Sequence, residues 1–476
     1  MPTTIVAATC PLPACNLAAR DVEALREDLA AYGELFARDF PRKDQVAWAH
    51  RYLSGLLSNH ARKSVEPMAL AHGFPIRSMQ AFLADSPWSC ATVVQRHQQL
   101  VAQSLGEPDG VLLVDESAMP KQGCHSAAVA PQYCGALGKV ANCQVGVYVG
   151  YATRKGYSLL DGQLFVPECW FADEHAALRV EVGLPQELCF KTKPELALAL
   201  VQALMQRAVV PARWLAADAL YGDSPAFRDG VAALGLWYFT EIACSNLIWR
   251  RQPALAVPAW SGKGRKPSKL RLKTPANRPY RVDELVQRLP RRAWARGTVK
   301  EGSKGPIVCD FAFVRVSECR AGLPGPRLWL VLRRNVATPT QVKFYFSNAP
   351  EGLEPLALVR LSGMRWPVEL SFAESKTELG MDEYECRSWQ GWHHHMLLVM
   401  LAHHFLVWAR LRLQEQAPAL TLAQVRLLLM SVIPKPPLTV ERALLLVRYY
   451  QRRNRAAYCS HRKRKLAQLA AFDSAL

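Results

Sequence analysis

Two aspartates stand where short apolar runs end, a position from which carboxylates can bind a metal ion. Gly110-Val-Leu-Leu-Val114 is followed by Asp115, and Trp214-Leu-Ala-Ala217 is followed by Asp218. Such runs predict buried strands, and ligands of α/β sheets gather at the carboxyl ends of strands. Each aspartate alone is also an ordinary turn former or helix cap. Two in one predicted sheet favour a shared site for hard divalent cations, which take oxygen ligands.

A third carboxylate is expected from a helix packed against that sheet, and residues 364–378 supply a candidate. Glu369 and Lys376 are seven residues apart and therefore share one face of the predicted helix. Arg365 stands just before the helix and can reach the same side. This pattern suits a carboxylate on a metal ion with two cations on the oxygens of a phosphate.

The same stretch leaves two alternatives open. A solvated amphipathic helix with charges seven residues apart explains the pattern without any metal. Glu374 and Glu378 are carboxylates on other faces of the helix and are alternative ligands.

The charge balance of the chain indicates an acidic polymer as partner. Among 476 residues, 59 are Lys or Arg and 40 are Asp or Glu, which gives a net charge of +19. Two stretches concentrate the basic residues: 261–300 and 442–465. A surplus of this size favours nucleic acid or another anionic surface, with ordinary solubility charge as the alternative. Because half of the residues are hydrophobic, a packed core is expected and wholesale disorder is excluded.

Several other classes of protein are excluded by the distribution of cysteine, histidine and apolar residues. The 13 cysteines are scattered and form no C-x-x-C pair, which disfavours zinc ribbons and redox pairs and suits a reducing cytosol. The run His393-His394-His395 lies on a predicted helix, where the rings diverge and cannot converge on one ion. The most apolar stretch, residues 396–411, is too short and too polar to span a bilayer. Residues 1–20 lack the pattern of a secretory signal, so a cytoplasmic protein is expected.

The predicted elements divide the chain into five parts of different character. Strands are predicted over 110–114, 143–151, 157–166, 214–217 and 236–243, with helices over 194–207 and from Ser224 to Gly235 between the later ones. The parts are a helical N-terminal region (1–105), an α/β core (106–245), a basic β-rich insertion (246–345), a second part of the core with the Glu369 helix (346–411), and a helical C-terminal region with a basic tail (412–476).

A possible DNA-reading element lies in the N-terminal region. Residues 68–83 form a predicted helix, a turn containing Gly73 and a second helix, which is compatible with a helix-turn-helix. Ordinary packing of two helices explains the same pattern equally well.

The three candidate carboxylates resemble those of the DDE transposases of bacterial insertion sequences. Arg365, Glu369 and Lys376 match the spacing of the signature helix Y-x-x-R-x-x-x-E-x-x-x-x-x-x-K, but the Tyr position holds Ser362. Val114-Asp115-Glu116-Ser117 resembles the first-aspartate motif of this family, and Asp218-Ala-Leu-Tyr-Gly222 resembles its D-x-x-Y-G motif. The similarity extends over roughly residues 40–460, and the three acidic motifs occur in the family's order.

This resemblance implies a fold, a reaction and a set of partners. The fold is a ribonuclease-H-like mixed sheet with flanking helices, interrupted by the β-rich insertion and preceded by the helical N-terminal domain. Asp115, Asp218 and Glu369 would be the catalytic residues and bind two Mg²⁺ ions, with Mn²⁺ as a substitute. Arg365 and Lys376 would contact DNA phosphates.

The implied reaction is cleavage of DNA at the ends of an insertion sequence, followed by strand transfer through attack of a 3′-hydroxyl on the target. The implied partners are the terminal inverted repeats, target DNA and a second copy of the chain, in the bacterial nucleoid. Two alternatives stay open: a catalytically silent DNA-binding protein or repressor derived from such an enzyme, and a structure-selective nuclease on the same fold.

Overall fold

The computed structural model describes residues 13–302 and 305–473 of the chain. The first twelve residues of the predicted N-terminal region, which include part of the stretch 1–20 that lacks the pattern of a secretory signal, lie outside the described residues. So do residues 303–304 of the predicted insertion and the last three residues of the predicted tail.

Five α-helices form the part of the N-terminal region that follows residue 12, as its spacing of apolar residues predicts. Gly73, at a φ of 71°, ends the third helix, and the Ser89 hydroxyl caps the fifth by accepting from the Ala91 amide. The structure thus contains the predicted helix–turn–helix pair. The helices are α1 (Ala19–Glu34), α2 (Lys43–Leu57), α3 (Val65–His72), α4 (Ile76–Ala84) and α5 (Cys90–Leu105).

Four strands follow in sequence, and helices then separate two further strands up to residue 242. Thr192 and Ser224 cap the two longer helices here, and each helix has a proline in its first turn. The elements are β1 (Val111–Pro120), β2 (Ala130–Cys134), β3 (Lys139–Ala152), β4 (Tyr157–Phe165), α6 (Ala176–Glu181), α7 (Lys193–Arg207), β5 (Trp214–Ala217), α8 (Ala219–Gly222), α9 (Pro225–Ala233) and β6 (Trp237–Ile242).

Strands make up about half of the following hundred residues, in agreement with the predicted β-rich insertion. These residues contain β7 (Leu247–Trp249), β8 (Leu255–Ala256), β9 (Arg271–Leu272), β10 (Tyr280–Arg281), α10 (Val282–Arg288), β11 (Ala295–Gly302), β12 (Gly305–Arg320), β13 (Leu323–Asn335) and β14 (Val342–Ser347). The rest of the chain is helical: α11 (Leu356–Leu361), α12 (Trp366–Leu379), α13 (Trp389–Arg412), α14 (Leu422–Val432) and α15 (Val440–Asp473).

One mixed sheet joins the core strands to the strands of the insertion. Its order is β10-β7-β12-β13-β14-β6-β5-β1-β3-β2, with β11 beside β12 and β4 beside β3. Strands β1, β5 and β6 are parallel neighbours, whereas β14 pairs with β6 in antiparallel orientation. Helices cover this sheet, so the chain has the mixed α/β architecture that the ribonuclease-H-like resemblance implies.

Helix α13 is the most deeply buried helix in the described part of the chain. Its residues from Trp392 to Val407 are buried almost without interruption, and they pack against β4 and against the N-terminal helices. This confirms the interpretation of the apolar stretch 396–411 as a buried helix. Within the described ranges, no helix combines the length and the apolar character needed to cross a membrane.

Candidate active site

Asp115 and Asp218 are brought together by two neighbouring parallel strands. Val114 of β1 pairs with Ala217 of β5. Asp115 is the next residue of β1, and Asp218 directly follows the end of β5. Adjacent strands are about 4.8 Å apart, so their carboxylates share one edge of the parallel ladder. The sequence pattern predicted this proximity from the two apolar runs.

The prediction that β1 ends at Asp115 is wrong. The strand continues to Pro120 because its second neighbour, β3, keeps pairing with it, and Asp115 itself stands opposite Tyr148. Only the parallel pairing with β5 stops before Asp115. The carboxylate therefore projects from a strand held on its other side, which restricts its movement.

The D-x-x-Y-G motif is fixed to β1 by its tyrosine and to β6 by its glycine. The Tyr221 hydroxyl donates to Glu116 Oε2 at 2.7 Å, and Lys193 Nζ donates to Glu116 Oε1 at 2.9 Å. A Cβ atom on Gly222 would lie 1.8 Å from the Glu241 carbonyl oxygen, so no larger residue fits this close approach. Asp218, which caps the short helix α8 through the Leu220 amide, is positioned by both contacts.

Glu369 reaches the aspartates through Arg365. Arg365 is the residue before α12, and its Nη2 lies 2.5 Å from Glu369 Oε1, one helical turn further on. Its Nη1 lies 3.1 Å from Asp115 Oδ2. One guanidinium group therefore bridges the helix and the strand, as its planar fork allows.

Burial and mutual repulsion disfavour the charged forms of both aspartates. Burial raises the pKa of Asp115 to about 7, with Asp218 adding to the rise and Arg365 opposing it. The pKa of Asp218 is raised by burial and by the charge of Glu116, again against the effect of Arg365. The single guanidinium does not balance these carboxylates, so additional positive charge would stabilise the site.

The donor atoms at this site fit a hard divalent cation, because they are carboxylate oxygens. Asp115 and Asp218 supply the adjacent pair. Glu369 is held by Arg365, and in residues 13–302 and 305–473 no three His, Cys, Asp or Glu side chains gather closely enough to hold one ion. A third carboxylate ligand would require Glu369 to exchange its contact with Arg365 for one with the ion.

The other charged residues of α12 have separate partners. Lys376 Nζ donates to the Ala118 carbonyl at 3.2 Å, further along β1 from Asp115. Glu374 accepts hydrogen bonds from Tyr157 at 2.9 Å and contacts His403 at 3.1 Å. Glu378 pairs with Arg426 at 2.5 Å. The two alternative ligands are thus engaged away from Asp115, while Lys376 extends to β1, the strand that carries Asp115.

Ser362 occupies the position of the missing signature tyrosine and is buried. Its hydroxyl donates to the Val359 carbonyl at 2.7 Å, and its own carbonyl accepts from Arg333 Nη1 at 2.7 Å. The residue thus anchors the segment before α12 to β13 instead of offering a side chain to a ligand.

The three consecutive histidines point to different neighbours, as their placement on one helix requires. His393 Nδ1 lies 2.9 Å from the Trp389 carbonyl, and His394 contacts the carbonyls of Leu83 and Trp88. His395 lies 2.8 Å from the Tyr52 hydroxyl. His393 Nε2 also accepts from the Leu164 amide of β4 at 3.5 Å, so each ring connects α13 to its surroundings, and the run serves packing.

A cavity of about 420 Å³ opens beside Glu369, between the core and the insertion. Its wall carries four cationic side chains and two acidic ones, together with half-exposed Trp366. The charged residues are Lys300, Arg333, Lys343, Arg365, Glu241 and Glu369. This excess of positive charge next to the carboxylates suits a phosphate backbone.

Some of these residues could not be found from the sequence. Lys300 and Arg333 belong to insertion strands that reach the site only through long-range pairing of β11–β14 with the core. Glu116 and Tyr221 could have been identified from the sequence, because each lies within one of the two aspartate motifs. Lys193 comes from the start of α7 and has no such signal.

Comparison with known proteins identifies the family of the chain. A family model described as "DDE superfamily endonuclease" matches residues 35–306, more than half of the chain. A probable transposase for insertion sequence element IS701 from Microchaete diplosiphon is 30% identical over 208 residues, which cover 42% of this chain and 50% of that protein. The chain thus spans about half the length of this curated relative.

A solved structure, the NurA nuclease from Sulfolobus solfataricus, aligns with 60% of this chain and 86% of its own, at 12% identity and a TM-score of 0.24. A likeness this slight bears on neither fold nor function. The family match, which includes both aspartate motifs, confirms the resemblance drawn from the sequence. The chain belongs to the DDE superfamily of endonucleases.

Proposed function

We propose that this protein is the transposase of an insertion sequence and that Asp115, Asp218 and Glu369 are its catalytic residues. The observation that carries the proposal is the pairing of Val114 with Ala217, which sets two desolvated carboxylates next to each other. The contact of Arg365 with both Asp115 and Glu369 adds the third acid to this group. The similarity to the IS701 transposase supports the choice of DNA ends as substrate.

The proposed reaction consists of two displacements at phosphorus. Water first attacks a phosphodiester at the end of the element, and the bond to the 3′ oxygen breaks, leaving a 3′-hydroxyl. That hydroxyl then attacks a target phosphodiester and displaces the 3′ oxygen of the target strand. Two divalent cations, Mg²⁺ or Mn²⁺, would stabilise the attacking and leaving oxygens when bound by the three carboxylates.

The protein's own residues orient the reacting groups. Arg365 holds the carboxylates of Asp115 and Glu369, while Tyr221 and Lys193 hold Glu116 and thereby the Asp218 turn. Lys376 lies at the same strand and would contact a phosphate near the scissile bond. These groups are in place before DNA arrives, which lowers the reorganisation needed during the reaction.

Other regions would grip and recognise the DNA. The basic insertion and the tail would neutralise phosphates, a contribution that weakens steeply with salt. Helix α4 exposes Arg77, Ser78 and Gln80, so it is a candidate for contacts with the terminal repeats. We further propose that two copies of the chain bridge the two ends of the element. They would act at the nucleoid in the cytoplasm.

The proposal is tested with duplexes carrying the ends of the element that borders the gene. In the presence of Mg²⁺ or Mn²⁺, the protein should cut these ends and join them to a plasmid target. Asp115→Ala, Asp218→Ala and Glu369→Ala should each abolish cutting and keep DNA binding. Asp109→Ala, which removes a half-exposed carboxylate just before β1, is the control and should cut normally.

The outcomes separate the alternatives. Full cutting by any of the three alanine variants would reject that residue as catalytic. Binding of the ends without any cutting by the unmodified protein would indicate a silent DNA-binding protein or repressor. Cutting without joining to the plasmid would indicate a structure-selective nuclease.

A further inference from the structure

Helix α15 leaves the body of the protein after its first turns. Arg442 donates to the Leu70 carbonyl at 3.0 Å, and Tyr449 and Arg453 both contact Glu66 at 3.0 Å. These contacts fasten the start of α15 to α3. Beyond them, every side chain described from residue 454 to residue 469 is exposed. The helix therefore presents more than four turns with no partner in the described part of the chain.

The exposed helix is strongly basic, and four of its arginines lie on one face. Residues 442–465 contain nine Lys or Arg and no Asp or Glu. Arg448, Arg452, Arg455 and Arg462 follow one another at intervals of four, three and seven residues, which places them on a single stripe. The stripe is about 21 Å long at 1.5 Å per residue. Like charges this close repel one another, so a polyanion would stabilise the helix.

A second copy of the chain does not fit this surface. A coiled coil requires apolar residues at heptad spacing, and every heptad register through residues 448–465 puts at least one Arg or Lys on the seam. A membrane surface does not fit either, because an interfacial helix needs one broad apolar face. The large exposed apolar side chains over 448–469 are few and scattered around the helix: Tyr450, Tyr458, Leu466 and Leu469.

The major groove of duplex DNA fits both the shape and the charge. It is about 12 Å wide and admits one α-helix, whose diameter is about 10–12 Å. We propose that α15 enters the major groove of the element end and that its arginine stripe contacts base edges there. Arginine binds guanine O6 and N7 in the major groove through two hydrogen bonds, and this is the commonest base-specific contact.

This inference rests on the proposed function, since it assumes an element end as the DNA, and it goes further by naming the segment that reads sequence. The N-terminal part of α15 contacts Glu66 of α3, which is the first helix of the helix–turn–helix pair. The two elements therefore form one connected surface, in which α15 reads bases and the neighbouring pair contacts the same duplex.

The test compares two double variants that remove the same charge. Arg452→Gln with Arg455→Gln changes the stripe, and Arg464→Gln with Lys465→Gln changes the other side of the helix. Affinity is measured for a duplex of the element end and for a scrambled duplex, and guanine N7 protection against dimethyl sulfate is mapped on the end. The stripe variant should lose about 100-fold in affinity for the end but only a few-fold for the scrambled duplex, and should lose the protection. The control variant should lose a few-fold on both duplexes and keep the protection.

Three results would overturn the inference. Equal losses in both variants on both duplexes would mean that α15 grips phosphates only. No loss in either variant would mean that α15 does not touch DNA. A lower melting temperature or an altered sedimentation mass for the stripe variant would mean that the stripe packs against protein.

Cutting by the unmodified protein is measured in parallel and separates this inference from the proposed function. If the protein cuts element ends and the stripe variant binds them normally, only the inference fails. If it cuts no duplex but the stripe variant loses end selectivity, the inference stands and the proposed catalytic function fails.

Discussion

Arg365 Nη1 lies 3.1 Å from Asp115 Oδ2, although 250 positions separate the two residues in the chain. The same guanidinium contacts Glu369 through its other amino group. Helix α12 and strand β1 are therefore held in register at the site by one side chain that is about a quarter exposed.

Replacement of Arg365 by alanine should lower the rate of DNA cutting about 100-fold or more, because the two carboxylates lose the group that orients them. Arg365→Lys keeps the charge but not the planar fork and should be intermediate. Single-turnover cutting of an element end measures the effect. Arg360→Ala, which breaks a surface pair with Asp109, is the matched control and should cut normally; an equal loss in both variants would contradict a specific role for Arg365.

Replacement of Tyr221 by phenylalanine should destabilise the fold by about 2 kcal/mol, because a buried hydroxyl no longer donates to a charged carboxylate. Cutting should also slow, since the Asp218 turn loses its link to β1. The control is Tyr148→Phe: the Tyr148 hydroxyl is buried and has no hydrogen-bond partner among the described residues. Its removal should leave stability nearly unchanged. Urea unfolding measures the free energy of unfolding of both variants. Equal losses would show that the hydrogen bond from Tyr221 to Glu116 does not stabilise the fold.

The ion pair of Arg228 with Glu318 should be essential to the docking of the insertion. Arg228 on α9 is fully buried and Glu318 on β12 is 5% exposed. Glu318→Gln would leave an uncompensated buried charge and should cost about 3–5 kcal/mol in the free energy of unfolding. The exposed pair of Arg281 with Asp283 is the control, and Asp283→Asn should cost under about 1 kcal/mol. A similar small cost for both variants would argue against a tightly docked insertion.

Buried histidines should make the protein less stable in mild acid. Burial lowers the pKa of His97 to about 4 and that of His395 to about 3, below the ordinary 6.5. At a pH between the folded and the unfolded pKa of each histidine, the unfolded chain binds a proton that the folded chain does not. The free energy of unfolding therefore falls as the pH decreases from about 6.5. The free energy of unfolding should drop by about 1.4 kcal/mol per pH unit for each such histidine. His395→Gln should flatten the slope between pH 6 and pH 5, and an unchanged slope would contradict this.

Local sequence patterns were sufficient to predict the proximity of Asp115 and Asp218. The apolar runs before Asp115 and Asp218 predicted two buried strands, and their parallel pairing makes the aspartates neighbours. The sequence also placed Arg365 just before the Glu369 helix and on the same side as Glu369, and in the structure its guanidinium contacts both Glu369 and Asp115. Each of these relationships depends on residues close in sequence or on a simple rule for parallel strands.

Relationships that depend on distant pairing could not be predicted. The strand β1 continues through polar residues after Asp115 because β3 supplies its partner. The cationic wall formed by Lys300 and Arg333 depends on the insertion strands joining the core sheet. The roles of Glu374 and Glu378, which were possible ligands by sequence, are decided by Tyr157 and Arg426 from other parts of the chain.

The pairing of β14 with β6 also limits how this fold can change in evolution. Four register pairs, from Phe344 opposite Ile242 to Ser347 opposite Phe239, close the side of the sheet next to β5. Loss of the inserted hundred residues would leave β6 with a bare row of amides and carbonyls, open to association with other chains. Shortened descendants of this protein should therefore keep β14, or replace it with another strand, even where the rest of the insertion has been lost.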